Sequence, residues 1–174
     1  LGSIVQRQQR SEDVMEVDED VLLSIEDLVE TDLDGLREWG AEAVVTLMED
    51  AELERTLRGL DGVDEDEDRT VENAKATLQS QCAARDMAWF HCPIPDFEPP
   101  GEAFEVAWSN GSGAHVREVL RSGGLVAVHC RGGFGRSGTV ASRLLIELGL
   151  CPSPREALLR VREAQPGAVE TAIQ

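Results

Sequence analysis

Positive charge is scarce in this sequence. The 174 residues hold 16 Lys and Arg against 34 Asp and Glu, a formal net charge of −18, and Lys75 is the only lysine. That deficit argues against a nucleic-acid partner, because a phosphate backbone needs a basic face. It argues equally against docking on an anionic membrane. No apolar run approaches the roughly 18 residues that a membrane-spanning helix requires. Residues 1–30 also lack the apolar core of a secretory leader. CxxC pairs are missing and only three histidines occur, so no metal site is expected, structural zinc included. The four cysteines, Cys82, Cys92, Cys130 and Cys151, are therefore read as reduced and the protein as cytoplasmic.

What is present is unevenly spread. Residues 1–68 carry 23 acidic and 5 basic side chains, whereas residues 69–174 carry 11 of each. The 41% hydrophobic content suits a folded chain, and the length suits one domain. Residues 1–19 read as a polar, acidic and loose N-terminal extension, and residues 20–174 as the folded domain. The dense charge of Asp61–Asp68 predicts a mobile loop. The acidic half is read first as a solvated face, and alternatively as a surface for a basic partner.

Periodicity predicts alternating helices and strands. Val21–Leu23 opens an element. Thr31 is placed to cap a helix over Asp32–Trp39, with Leu33, Leu36 and Trp39 on one face and Gly40 ending it. Ala43–Met48 reads as a buried strand and Ala51–Leu60 as a helix. A helix from Thr70 to Arg85 buries Ala74, Leu78 and Cys82. Met87–Cys92 is a strand, followed by the proline-fixed turn Pro93-Ile94-Pro95-Asp96. Glu102–Ser122 is helical but broken near Ser109–Gly113. Leu125–His129 is a buried strand, Arg136–Leu148 a helix stopped by Gly149, and Ser153 with Pro154 opens a last helix ending near Ala164. This order predicts an α/β fold, a single domain whose central, mostly parallel sheet is flanked by helices.

The chemistry concentrates in residues 129–138, HCRGGFGRSG. Cys130 ends a buried strand and Arg136 opens a helix. Gly132, Gly133 and Gly135 let the backbone curl so that its N–H groups converge. The helix N-terminus adds partial positive charge, and Arg136 offers a planar fork for two phosphate oxygens. An anion hole of this kind favours the Cys130 thiolate, which under a bound phosphate is an attacking nucleophile. The Ser137 hydroxyl is placed to donate to that sulfur. A departing alcohol needs a proton donor, and Asp96, in a turn after a strand, is the candidate.

These residues resemble the signature of cysteine-based protein phosphatases, HCX5R followed by Ser or Thr. The HCxGGxGRSG loop, the PIPD turn and the tail Pro166–Thr171 together resemble dual-specificity phosphatases of the kinase-associated phosphatase type, over roughly residues 32–174. The resemblance implies hydrolysis of phosphomonoesters on phospho-Ser, phospho-Thr or phospho-Tyr proteins through a phosphocysteine, without cofactor or metal. It implies Cys130 as nucleophile, Arg136 as phosphate ligand, and Asp96 as general acid and then base. His129 tunes the thiolate, and Arg131, Gly132, Gly133, Phe134, Gly135 and Arg136 form the phosphate-binding loop. Alternatives are a non-catalytic phosphate-binding module and a phosphatase for a non-protein phosphomonoester. Tyrosine is absent altogether, so no tyrosine lines a deep phosphotyrosine pocket, which favours a shallower site.

Overall fold

The AVVT and LVAVH runs become the two middle strands of a four-stranded sheet. The computed structural model describes residues 2–5, 30–59 and 71–174. β2 (Ala41–Thr46) and β4 (Leu125–His129) run parallel, with Thr46 opposite His129. β3 (Ala88–His91) lies parallel on the outer side of β2. β1 (Gly2–Val5) lies antiparallel on the far edge of β4, pairing Gly2 with His129. The expectation of a loose start is thereby corrected for Gly2–Val5. β4 is buried, and the backbone groups along its outer edge require partners that β1 supplies.

Successive strand side chains point to opposite faces. Ala43, Val45, Val126 and Val128 pack with Phe104, Val116, Leu120, Val140 and Leu144. These partners come from α4 (Glu102–Ala107), α5 (Gly113–Ser122) and α6 (Gly135–Glu147). Val44 and Ala127 face the other way, against Leu33 and Leu36 of α1 (Glu30–Trp39), Cys82 of α3 (Val71–Ala83) and Met87. Coverage on both faces explains why LVAVH shows no polar alternation. α2 (Asp50–Gly59) follows β2, and α7 (Pro154–Ala164) packs on α6.

Most expected boundaries hold within a few residues. Gly40 ends α1 at φ 100°, its N–H donating to the Arg37 carbonyl at 3.0 Å. Thr31 lies inside α1 rather than at its cap, because the helix already begins at Glu30. The predicted break between α4 and α5 is a kink within Trp108–Ser112, where the backbone leaves helical geometry at Asn110 and Gly111, the latter at φ 121°. Ser153 caps α7 by accepting the Glu156 N–H, with Pro154 in the first turn. Val21–Leu23, Asp61–Asp68 and Thr70 lie outside the described residues.

Candidate active site

Parallel strands present their C-terminal ends on one side of a sheet, which is where α/β folds gather functional loops. Here three segments meet. α2 follows β2, the proline turn follows β3, and the glycine loop follows β4. Backbone bonds continue the ladder past the strands: Leu47 N–H donates to the His129 carbonyl at 2.9 Å, and Ile94 N–H to the Leu47 carbonyl at 3.0 Å. The three segments are thus held in register with one another.

Cys130 is buried at the end of β4. Gly133, at φ 74°, turns its N–H inward to donate to Cys130 Sγ at 3.2 Å. A side-chain-bearing residue resists that conformation, so glycine is needed there. Gly133 and Gly135 are buried, Phe134 is half-buried, and Arg131 and Gly132 face solvent. The Phe134 carbonyl accepts the Gly138 and Val169 N–H groups at 3.1 and 3.2 Å, which ties the loop to the chain end.

Arg136 is the hub. Its Nη1 and Nη2 donate to the two carboxylate oxygens of Glu52 at 2.5 and 3.0 Å, and Nη1 also to the Ile94 carbonyl at 3.2 Å. Nη2 lies 3.2 Å from Asp96 Oδ1. Burial alone would raise the Glu52 carboxyl, but the bonds and charge of Arg136, with the Glu49 N–H, outweigh it and hold it below its usual value. Burial likewise works to lower the Arg136 guanidinium, and Glu52 more than reverses this. Both partners are therefore charged in the fold. Sequence reasoning missed Glu52, one acidic residue among many in an acidic half. Its only signal was a place in the first turn of a helix directly after a buried strand.

Asp96 lies in the expected turn with its side chain half exposed, and Oδ1 accepts the Phe97 N–H at 3.1 Å. His129 is buried with Nε2 2.7 Å from Thr46 Oγ1, which also accepts from Trp89 Nε1 at 2.9 Å. Burial first, and neighbouring positive charge including Arg136 second, push the His129 imidazole down to about 4. His129 is therefore neutral at physiological pH. One expectation is corrected. Ser137 Oγ is buried and makes no hydrogen bond among the described residues, so it does not donate to the sulfur in this structure. The other three cysteines are buried as well. Burial pushes the Cys82 and Cys92 thiols up to about 11, which keeps both protonated and inert.

The Gly133 N–H, a guanidinium and a sulfur at one end of a parallel sheet can hold a phosphoryl group against a nucleophile. Among the described residues, no helix is long and apolar enough to cross a membrane. Residues 24–150 match the family model Tc-R-P, described as "Polymorphic toxin system, DSP-PTPase phosphatase". A curated relative, Cyclin-dependent kinase inhibitor 3 of Rattus norvegicus, is 33% identical over 87 residues, covering 48% of this chain and 38% of the relative. The chain thus matches well under half the length of that protein. The crystal structure of Tk-PTP in its active form is 32% identical with a TM-score of 0.57, covering 83% of this chain and 80% of that one. Kinase associated phosphatase, with its catalytic cysteine replaced by serine, superposes with a TM-score of 0.61 at 21% identity, covering 83% and 70%, and so supports the fold alone. The matched residues run from α1 through the glycine loop into α6, and on that match this chain belongs to the DSP-PTPase phosphatases, cysteine-dependent enzymes of the dual-specificity and tyrosine phosphatase type.

Proposed function

We propose that this chain hydrolyses phosphomonoesters on phosphoproteins through a phosphocysteine on Cys130. The observation that carries the reading is the placement of Cys130 Sγ, which accepts the Gly133 N–H at the end of β4 within a loop closed by Arg136. The phosphoryl group sits among the N–H groups of residues 131–135, and Arg136, held end-on by Glu52 through Nη1 and Nη2, offers its Nε–Nη2 edge to two of its oxygens. The Cys130 thiolate attacks phosphorus and the P–O bond to the substrate breaks. Asp96, in its acid form, protonates the departing oxygen. Asp96, now a carboxylate, takes a proton from water as that water attacks phosphorus. The P–S bond then breaks, releasing inorganic phosphate and the thiolate.

Several features support the finer assignments. The half-exposed Asp96 can reach a bound leaving group, whereas buried Glu52 cannot. The solvent-facing Arg131 and Gly132 suit an open rim that admits phospho-Ser, phospho-Thr and phospho-Tyr. A nucleophilic cysteine with three further free cysteines suits the reducing cytoplasm. The acidic half, residues 1–68, would take a basic partner or substrate region by charge complementarity. The domain assignment stays with residues 20–174, joined by the β1 strand. The test is Cys130→Ser assayed on a phosphopeptide panel. Turnover is expected to vanish while the phosphopeptide still binds, and wild-type phosphate release by Cys130→Ser would overturn the reading.

A further inference from the structure

The seven residues after Pro166-Gly167 form a strap that joins three parts of the site. At its root, Arg162 of α7 donates to the Ala168 and Val169 carbonyls, each at 2.9 Å. Val169 N–H donates to the Phe134 carbonyl in the glycine loop at 3.2 Å. The approach is close: a Cβ on Gly138 would lie 2.9 Å from the Ala168 Cβ and from the Val169 nitrogen. Beyond Glu170 the strap reaches the acid turn, where Thr171 Oγ1 donates to the Phe97 carbonyl at 3.1 Å. Thr171 is itself fixed, because its N–H donates to Gln174 Oε1 at 3.2 Å and its Oγ1 accepts the Gln174 N–H at 3.3 Å.

Phe97 is the residue that needs holding. Its φ of 58° lies in the left-handed region, unfavourable for any residue with a Cβ. Phe97 is 54% exposed, so packing does not compensate. Two hydrogen bonds do. Asp96 Oδ1 accepts its N–H, and Thr171 Oγ1 donates to its carbonyl. The same Asp96 oxygen faces Arg136. Releasing the Phe97 carbonyl would let its backbone relax to negative φ and draw the carboxyl away from the phosphate loop.

We infer that Thr171 is a positioning residue for Asp96, locking the acid turn onto the phosphate loop through the Phe97 carbonyl. This rests on the reading of Asp96 as the general acid. The test compares the full chain with Thr171→Val, Thr171→Ser and Asp96→Asn on aryl phosphates of rising leaving-group pKa, with urea midpoints measured alongside. Poor leaving groups depend on protonation and good ones do not. Asp96→Asn should therefore steepen the dependence of kcat on leaving-group pKa. Thr171→Val should steepen it partway, losing about tenfold on the poorest leaving group, a fraction of the 10²–10⁴ typical of a general acid. Thr171→Ser keeps the hydroxyl and should restore the parent slope. If Asp96→Asn steepens the slope and Thr171→Val lowers all substrates equally or none, the strap proposal alone is overturned. If Asp96→Asn leaves the slope unchanged, Asp96 is not the acid and both claims fall. The urea midpoint separates a folding loss, which would affect every substrate alike.

Discussion

Arg136 touches two carboxylates from two differently built regions. On the α2 side, Glu52 is buried, doubly bonded and held below its usual pKa. On the acid-turn side, Asp96 makes one 3.2 Å contact from a side chain that is half in solvent. Both are acids beside the same guanidinium. Burial and hydrogen-bond count divide them, fixing Glu52 as a strut and leaving Asp96 open to solvent, which suits the general-acid role proposed for it. The division follows a general rule, that environment rather than residue type assigns the roles of paired acids.

Substitutions can break that contrast in order of expected effect. Asp96→Asn should lower kcat by about 10²–10⁴ on a poor leaving group, the usual range for a general acid, with the urea midpoint nearly unmoved. Arg136→Lys keeps a charge but loses the fork, and kcat/KM should fall by about 10²–10³, comparable with deleting one preorganised oxyanion donor. Glu52→Gln should invert the Asp96 pattern. Stability should fall by about 3 kcal/mol, the low end for breaking a buried ion pair, because the Ile94 carbonyl and Asp96 still hold Arg136. Its effect on kcat should be the smaller one and uniform across leaving groups. A Glu52→Gln protein as stable as the parent in urea would show that Glu52 is not a strut.

The same contrast has a signature in pH. The folded pKa of Glu52 lies below its unfolded value of 4.5. Its contribution to stability is therefore complete above pH 4.5 and is lost as pH falls through the depressed value. His129 is lowered from 6.5 to about 4, so the unfolded chain takes up that proton first. Stability should decline as pH falls from about 6.5 to about 4. Urea midpoints across this range should show both slopes in the parent. The lower one should flatten in Glu52→Gln and the upper one in His129→Asn.

The strand–loop–helix motif was legible because each of its parts is local. Buried β-strand, glycines, cysteine and arginine sit within twelve consecutive residues, 125–136, and Leu125–His129 and the α6 start emerged nearly as read. Asp96 was legible through its prolines, which fix a turn whatever packs against it. Glu52 and Thr171 were not. Each acts across a large gap in sequence, 84 residues to Arg136 and 74 to Phe97. Neither carries a local pattern that marks it off from a surface acid or a tail threonine. The pairing of Gly2–Val5 with β4 was hidden for the same reason, since four residues beside a polar run give no strand signal until an open edge is known.

In the proposed reaction Cys130 is the covalent carrier of phosphate. Rapid acid quench of a stoichiometric mixture with a phosphopeptide, followed by mass analysis of peptides, tests it in one measurement. One phosphoryl group should appear on the peptide containing Cys130 within the first turnover, and should persist longer in Asp96→Asn, where water attack lacks its base. Phosphate release in a burst with no phosphoryl group on Cys130 at any quench time would contradict it.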